Sequence, residues 1–451
     1  MVSRPTTVDA AARGGIPVRW KIYSLTFVFG AFAYLQQRTL TVTAYQMMPQ
    51  LGLSQMQIGW LEWAFLIGYT AMQSPGGIFG QRFGARASFT AISVLAFAAM
   101  MLTPLAPYAL HGLPLFSALI ALQVALGVAQ GPIFPVCAGV FKTWFAPQSW
   151  PFVQGLQSMG LQLGAAVTPP LIAWLMGLLG WQQAIVWTTL PFLLLIGLWA
   201  WYARDVPAEH PGVRAEELAE LGEHARARVD ARITWRRVAA LLKDRDLLAL
   251  TLSYVCMNYV FYLVANWVFL YLVQDRHLTT LESGWLAAIP PMASALAAGT
   301  GGWVASALVK RRGTRWGLHI VPLLSLPAAG LLLIGAGQAN EAYVAVGALA
   351  LCFALVEVNE GCYWAAAMHL GEADTMTATG ILNTGGNAGG LIAIPIVAYL
   401  SEHHAWRSAF MLGFAFAVAS GALWLLVNPT RRLGNEPQAP EPRAEGLEHV
   451  E

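Results

Sequence analysis

Gly155-Leu-Gln-Ser-Met-Gly-Leu-Gln-Leu-Gly164 returns 225 residues later as Gly380-Ile-Leu-Asn-Thr-Gly-Gly-Asn-Ala-Gly389, with glycines and polar side chains at matching places. The same shift brings further landmarks into register: Gly59-Trp60-Leu61 with Gly284-Trp285-Leu286, Gly76-Gly77 with Gly301-Gly302, and Pro170 with Pro395. A shift of 229 then aligns Gly84-Ala85-Arg86 with Gly313-Thr314-Arg315. Since nearly one register serves several distant segments, the chain consists of two similar halves.

The composition excludes a soluble or disordered protein. Of the 451 residues, 57 % are hydrophobic and only 11 % are charged, against about 25 % charged in typical soluble proteins. A net charge of +2 is too small for nucleic-acid binding by bulk charge. The four cysteines lie inside apolar runs without metal-ligand spacing, so we expect them to be core residues.

Twelve apolar runs have the length of about 20 residues that a membrane-spanning helix needs. They lie near 22–45, 56–79, 87–107, 113–141, 150–177, 182–203, 247–273, 283–309, 316–337, 341–369, 376–400 and 406–428. The sequence therefore predicts an all-α membrane protein with twelve transmembrane helices in two pseudo-symmetric six-helix halves.

The predicted organisation has five parts. We expect an N-terminal segment at 1–21, a six-helix bundle at 22–203, a linker at 204–246, a second bundle at 247–428, and a disordered tail at 429–451. The linker holds 18 of the chain's 50 charged residues and favours a surface helix around 214–229. Of the 26 basic residues, 23 would lie on the side of the linker and both termini, which predicts that this side is cytoplasmic.

The segment Gly76-Gly-Ile-Phe-Gly-Gln-Arg-Phe-Gly-Ala-Arg86 resembles the loop between the second and third spans of the major facilitator superfamily. This resemblance implies the two-half transporter fold and a gating role for Gly77, Gln81, Arg82, Gly84 and Arg86. Gln81 stands where the superfamily usually has an aspartate that helps to lock the halves. We therefore expect weaker gating electrostatics here.

Within that superfamily the chain is most similar to the anion:cation symporter family, whose members transport sugar acids and organic anions. The resemblance rests on Gln37-Arg38, Tyr69 with Gln73–Gly77, Gly127–Pro135 followed by Trp144-Phe145, and Gly380–Gly390. It implies that Arg38 occupies the family's anion-binding position. It also shows a departure, because Gln37 and Gln130 replace two carboxylates that proton-coupled members use.

Arg38 is the strongest candidate for a substrate-binding residue. An ionised side chain inside a span costs about 2.5–3.5 kcal/mol on insertion scales, so Arg38 is expected to face the bundle interior. Its planar guanidinium suits a carboxylate. Tyr34, Thr41 and Tyr45 share its helical stripe. The alternative is an internal ion pair without a role in substrate binding.

Amides and a phenol in other spans complete the predicted pocket. The candidates are Tyr69, Gln130, Gln162, Asn258, Asn383 and Asn387. Gln162 and Asn387 occupy matching positions of the two halves, which favours ligand contact for them. Hydrogen bonding between helices is an equally good explanation for each of the others.

Glu357 and Glu360 in span ten are the candidates for coupling, as a proton site or as ion-pair partners of Arg38. Three residues apart on one helix, they would be neighbours on its surface. With Gln37 and Gln130 replacing the family's carboxylates, two options remain open. Either the chain is a uniporter or anion exchanger, or the proton has moved to Glu357 or Glu360.

These observations predict a transporter, not an enzyme, that moves a small organic anion, a carboxylate or sugar acid, across a bacterial inner membrane by alternating access. Its other partners would be the lipid bilayer and a proton or counter-anion. No P-loop or dinucleotide motif is present, so we expect neither cofactor nor metal, and a single chain as the working unit. The alternatives are an exporter of drugs or cations and, more remotely, a membrane sensor without transport.

Overall fold

The structure is a computed structural model that describes residues 16–221 and 234–431. Expectations for 1–15, 222–233 and 432–451, which include the tail and part of the linker, lie outside the described residues. The helices are α1 Val18–Leu51, α2 Gln55–Phe83, α3 Ala85–Ala109, α4 Gly112–Gln130, α5 Ile133–Trp144, α6 Trp150–Tyr202, α7 Ala215–Leu221, α8 Trp235–Lys243, α9 Arg245–Gln274, α10 Thr280–Ala287, α11 Ile289–Gln338, α12 Ala342–Glu357, α13 Glu360–Gly371, α14 Thr375–Glu402 and α15 Trp406–Leu423. Short 3₁₀ turns occupy Pro147–Ser149, Pro207–Glu209, Glu372–Asp374 and Trp424–Leu426.

Twelve spans can be counted in these helices. By length and composition, seven helical stretches of the described residues could cross a membrane. Three of them, Pro147–Tyr202, Glu282–Gln338 and Ala342–Glu402, are 56 to 61 residues long and hold two spans each. The more polar helices α1 and α2 supply the first two spans. The predicted all-α fold with twelve spans is confirmed, whereas the division at 203/204 and 246/247 stays a prediction.

The ends of the helices repeat between the halves as the sequence register requires. Ser54 and Gln57 form a capping box at the start of α2, and Thr279 and Glu282 form one 225 residues later at the start of α10. The tight turns after spans two and eight contain Gly84 at φ 82° and Gly313 at φ 76°. This left-handed conformation is one that glycine adopts without steric cost.

Spans four and ten are interrupted at corresponding places. Span four breaks at residues 131–132 between α4 and α5, and span ten breaks at residues 358–359 between α12 and α13. In span ten the buried side chain of Asn359 donates to the carbonyls of Leu355 at 2.7 Å and Val356 at 3.1 Å. It thereby gives the Leu355 carbonyl a donor and adds a second donor to the Val356 carbonyl, which the backbone N–H of Asn359 also contacts at 3.3 Å.

The halves contact each other at the end that carries the linker. Span two packs against span eleven, and span five packs against span eight. Gly155 and Gly302 lie where spans five and eight approach most closely. A Cβ on Gly155 would lie 2.4 Å from the carbonyl oxygen of Ala298, and one on Gly302 would lie 2.4 Å from that of Pro151. The matching glycines of the repeat therefore serve close helix packing.

The first part of the linker is fastened to the N-terminal half. Buried Glu217, in α7, accepts hydrogen bonds from the backbone N–H groups of Val18 at 3.2 Å and Arg19 at 2.9 Å. Arg19 also pairs with Glu220 at 2.6 Å. A carboxylate at this helix N-terminus caps α1, which begins after Pro17 without a side-chain cap of its own. The predicted surface helix is present over Ala215–Leu221.

Candidate substrate-binding site

A cavity lies between the two halves. Its wall consists of Tyr34, Gln37, Leu66, Tyr69, Phe134, Ser158, Leu161, Gln162, Tyr254, Asn258, Phe261, Tyr262, Glu357, Glu360, Trp364, Asn383 and Asn387. Both halves therefore contribute aromatic rings together with hydrogen-bonding side chains.

Arg38 lies beside this cavity and outside its wall. Its side chain is exposed, one helical turn from Tyr34, and its charge acts on the phenol groups of Tyr34 and Tyr262. In the described part of the chain no carboxylate lies within 4 Å of it, so the alternative of an internal ion pair is not realised in this conformation. The expectation that Arg38 faces the bundle interior stays a prediction: its side chain is exposed at the cavity's edge.

The helical stripe that begins at Tyr34 shows where the cavity opens. Tyr34 lines the wall, and the next members of the stripe, Arg38, Thr41 and Tyr45, are exposed, Tyr45 by 80 %. These residues lead towards the end of α1 that lies away from the linker. The cavity is thus open at that end and closed by the contacts between the halves at the linker end.

Gln130 lies away from the predicted pocket. Its side chain is buried and donates a hydrogen bond to Oε1 of Gln36 at 2.9 Å, joining span four to span one. The helix-to-helix explanation therefore describes Gln130 in this structure. Gln37, which follows Gln36 in the sequence, lines the cavity wall instead, because adjacent positions on a helix point about 100° apart.

The three predicted asparagines all line the cavity, and each is oriented by the protein. Asn258 donates to the carbonyl of Tyr254 at 2.9 Å, and Asn387 donates to the carbonyl of Asn383 at 2.9 Å. Asn383 donates to Oε1 of Gln73 at 2.7 Å. Because their amide N–H groups have these partners, the amides are held in fixed orientations at the wall.

Both coupling candidates line the cavity, but they do not share a continuous helix. Glu357 is the last residue of α12 and Glu360 is the first residue of α13, so the expected neighbouring positions on one helix are replaced by positions on either side of the interruption. Glu357 is 3 % exposed and Glu360 is 8 % exposed. Neither has a cationic side chain within 4 Å in the ranges that the structure describes.

The predicted gating residues lie at the linker end. A Cβ on Gly77 would lie 2.2 Å from the carbonyl oxygen of Met376, so this glycine permits spans two and eleven to touch. Gln81 donates a hydrogen bond across the halves to the carbonyl of Ala373, and Lys142 donates one to the carbonyl of Glu372. Side chains of the N-terminal half thus donate hydrogen bonds to backbone carbonyls of the 3₁₀ turn Glu372–Asp374 in the C-terminal half.

The remaining members of that motif contact the N-terminal half or solvent. The backbone N–H of Arg86 donates to Oδ1 of Asp205 at 2.7 Å, and its guanidinium Nε donates to the carbonyl of Ala200 at 3.0 Å. Burial raises the pKa of Asp205 from its usual value, and the hydrogen bond from Arg86 opposes that rise. Arg82 is exposed and lies over the ring of Phe83 at 5.5 Å.

Sequence reasoning missed part of the wall. The wall residues that the predicted pocket did not include are Gln37, Leu66, Phe134, Ser158, Leu161, Tyr254, Phe261, Tyr262 and Trp364. Tyr254 lies four residues before Asn258 and Tyr262 lies four residues after it, so a helical stripe through Asn258 could have found both. The described residues contain no group of three or more histidine, cysteine, aspartate or glutamate side chains that could hold a metal ion.

Known proteins resemble the chain along nearly its whole length. It is 26 % identical over 419 residues to the probable sulfoacetate transporter of Cupriavidus necator, covering 92 % of this chain and 95 % of that protein. It is 24 % identical over 443 residues to a probable galactarate/D-glucarate transporter of Bacillus subtilis, covering 94 % and 95 %. The proton:xylose symporter XylE has the same fold, with a TM-score of 0.72 at 13 % identity over 90 % of this chain and 94 % of that one.

The family described as Major Facilitator Superfamily matches residues 26–373. The expectation of a multi-pass membrane transporter, and not an enzyme, is confirmed by this match together with the relatives. Since the match extends over more than half of the sequence, the chain belongs to the Major Facilitator Superfamily.

Proposed function

We propose that this protein carries a small organic anion, a carboxylate or sugar acid, across the inner membrane of a bacterium by alternating access. The observation that supports the proposal best is the cavity that both halves build, with Arg38 at its edge and no carboxylate of the described residues within 4 Å of it. Sites at the boundary of two repeats are where such transporters bind their substrates. A guanidinium at the open edge attracts an anion and can hold a carboxylate by two hydrogen bonds.

The lining of the cavity suits an anion that also carries hydroxyl groups. Amides from span five and span eleven, Gln162 and Asn387, face it together with the phenols of Tyr34, Tyr69 and Tyr262. Such groups donate and accept hydrogen bonds, whereas the aromatic rings cover the carbon skeleton. The names of the relatives, which include sulfoacetate and galactarate/D-glucarate, give the first compounds to test.

In this proposal both termini and the linker are cytoplasmic and the chain works as a single unit. The distribution of the basic residues supports the orientation. The structure would then correspond to the outward-open state, because the halves are in contact at the linker end. Transport would require a second state in which these contacts open.

Counterflow in proteoliposomes tests the proposed function. Vesicles loaded with unlabelled sulfoacetate, galactarate or D-glucarate would receive the same compound in labelled form, with xylose as a neutral comparison. We expect protein-dependent exchange of at least one acid and none of xylose. Exchange of xylose without any of the acids would contradict the proposal, as would the absence of exchange for all of them in protein that remains folded.

A further inference from the structure

The two buried carboxyl groups of span ten have opposite positions relative to helix ends. Glu357 closes α12, and Glu360 opens α13. A helix carries partial negative charge at its C-terminus and partial positive charge at its N-terminus. The helix ends therefore give charge on Glu360 a small preference over charge on Glu357, small because Val358 and Asn359 keep helical backbone angles.

Hydrogen bonds reinforce the charge on Glu360. The hydroxyl of Tyr254 lies 3.1 Å from each carboxyl oxygen of Glu360, and Nε1 of Trp364 donates to Oε2 at 2.8 Å. An indole N–H can only donate, so it requires an acceptor at that oxygen. These donors stabilise the charged form of Glu360, whereas its burial opposes that charge.

The side chain that faces Glu357 across the cavity can accommodate either protonation state. Gln162 lines the same cavity and its amide acts on the Glu357 carboxyl group, although no hydrogen bond of 3.5 Å or less joins them in this structure. An amide donates from nitrogen to a carboxylate, and it accepts at oxygen from a carboxylic acid. Once the two side chains approach, Gln162 can therefore bind Glu357 with or without its proton, after the amide turns over.

These two side chains belong to different halves. Gln162 is in span five of the N-terminal half, and Glu357 is in span ten of the C-terminal half. A bond formed between them would cross the boundary at the cavity wall, and a change of the proton on Glu357 would exchange its donor and acceptor. Such a bond can bias the equilibrium between two arrangements of the halves, provided that its strength differs between them.

Glu357 is surrounded by other ionisable groups, none of which is a better candidate for binding the proton. A charge on Glu360 in α13 repels a charge on Glu357, and the phenols of Tyr34 and Tyr254 face Glu357 from spans one and seven. Arg38 acts on the cavity phenols at the open edge. Within the described residues no cation pairs with either carboxyl group within 4 Å, so two ionised carboxylates here would repel without compensation.

We propose that Glu357 is the proton-binding site of the transport cycle, with Glu360 as a neighbour whose charge is stabilised by hydrogen-bond donors and Gln162 as the side chain through which its protonation acts across the halves. The step is the reversible binding of one proton to the Glu357 carboxylate. It makes the protein a proton-coupled organic-anion transporter, and in that respect it rests on the proposed function. The sequence leaves two options open, a uniporter or anion exchanger and a transporter whose proton site has moved to Glu357 or Glu360. The proposal favours the second option.

The first test needs no substrate. Infrared difference spectra between acidic and alkaline solutions of the purified protein record the C=O stretch of protonated carboxyl groups. We expect one such band to be lost in Glu357→Gln and kept in Glu360→Gln and in the exposed control Glu62→Gln. A full set of bands in Glu357→Gln, or a loss confined to Glu360→Gln, would overturn the assignment.

The second test measures coupling in proteoliposomes at zero membrane potential. The readout is the ratio of sulfoacetate or D-glucarate accumulated with and without an inward proton gradient. For one proton per transported molecule, a gradient of one pH unit supports about tenfold accumulation in the wild type. The ratio is expected to fall to one in Glu357→Gln and to stay above one in Glu62→Gln.

The outcomes separate this inference from the proposed function. A wild type that exchanges an organic acid but ignores the proton gradient would disprove coupling and leave the proposed function standing. A wild type that exchanges none of the acids, with the infrared band still assigned to Glu357, would disprove the proposed substrates and retain the proton site. Gradient-driven accumulation that persists in Glu357→Gln would disprove the site itself.

Discussion

The side-chain amide of Asn383 donates a hydrogen bond to Oε1 of Gln73 at 2.7 Å, so an amide of span eleven is paired with an amide of span two across the two halves. Beside it, the hydroxyl groups of Ser74 and Thr384 lie 2.8 Å apart and form a second polar contact between the same spans. Gln73 is fully buried and Asn383 is 8 % exposed. These two contacts lie between the cavity and the closed linker end.

We expect Gln73→Ala, Asn383→Ala and the double variant to show a coupling energy. A buried amide left without its partner costs about 1–3 kcal/mol, whereas removing both amides avoids part of that cost. Reversible unfolding or thermal inactivation of the three variants measures the coupling. Thr300→Ala, which removes an exposed hydroxyl bonded within its own helix, serves as a control. Strictly additive effects would show that the pair does not stabilise the contact.

Arg38→Lys should lose most transport while the protein inserts and folds normally. Lysine keeps the charge but not the two-pronged geometry that holds a carboxylate. The loss of one charge-assisted hydrogen bond costs about 1.5–3 kcal/mol, or roughly ten- to hundredfold in affinity. The measurement is uptake of the exchanged acid at equal membrane abundance, with the exposed Arg407→Lys as the matched control. Unchanged uptake in Arg38→Lys would remove Arg38 from the site.

The proposed orientation can be tested by labelling with a membrane-impermeant thiol reagent. The native cysteines are all buried, so background labelling should be low. Ala219→Cys, on the exposed side of α7, should be protected in intact cells and react after lysis, whereas exposed Asn340→Cys should react in both. Glu217 is a poor reporter because its side chain caps α1. Labelling of Ala219→Cys from outside would reverse the orientation.

Gly155→Val should weaken the contact that closes the linker end. Its side chain would collide with the backbone of span eight, where overpacking costs about 1–3 kcal/mol. Spin labels at the exposed positions Arg82 and Arg312 would then report a larger population of long distances between the halves. Gly177→Val in the same helix meets no atom within 4 Å and is the matched control. Equal distance distributions in both variants would contradict the closing role of Gly155.

The docking of the linker should weaken in mild acid. Burial lowers the pKa of His210 from 6.5, and nearby Arg204 and Lys21 lower it further, whereas Glu217 opposes them. His210 accepts a hydrogen bond from the N–H of Gly212 at Nδ1, 3.1 Å away. Because the undocked state binds more protons, the stability that His210 contributes is present above pH 6.5 and is lost as the pH falls towards its docked pKa.

Hydrogen exchange measures this effect at the Gly212 amide. We expect faster exchange, after correction for intrinsic rates, when the pH falls from about 7.5 to about 5.5. His210→Gln should lose the extra pH dependence. If the wild type and His210→Gln depend on pH in the same way, the histidine does not control the docking.

Periodicity and the internal repeat predicted the fold and much of the cavity. The stripe containing Tyr34 and the matched positions Gln162 and Asn387 indicated wall residues because a helix keeps side chains three or four positions apart on one face. The same logic could not place Gln130, whose buried amide pairs with Gln36. Whether Gln130 faces the cavity or span one depends on how span four is rotated against span one. This rotation cannot be read from the sequence of either span alone.

The interruption of span ten was also beyond sequence periodicity. Residues 342–371 contain no proline, and the polar run Glu357-Val-Asn-Glu-Gly361 is as typical of a polar site on a continuous helix as of a break. The turn is stable because Asn359 satisfies two backbone carbonyls and itself accepts a hydrogen bond from Ser325, which comes from span nine. A partner from another helix is tertiary information, and it places Glu357 and Glu360 at opposite helix ends.

The separation of charge around the cavity has a consequence for how a cargo would lie in it. The turns of the two halves are alike, as Gly84 and Gly313 show, whereas their charges differ: both acidic wall residues belong to the C-terminal half, and Arg38 at the edge belongs to the N-terminal half. Two halves with identical side chains would give the cavity no electrical polarity, and a cargo could lie in it in either orientation. In the transport that we propose, the polarity across the midline would turn an asymmetric anion with one preferred end towards each half.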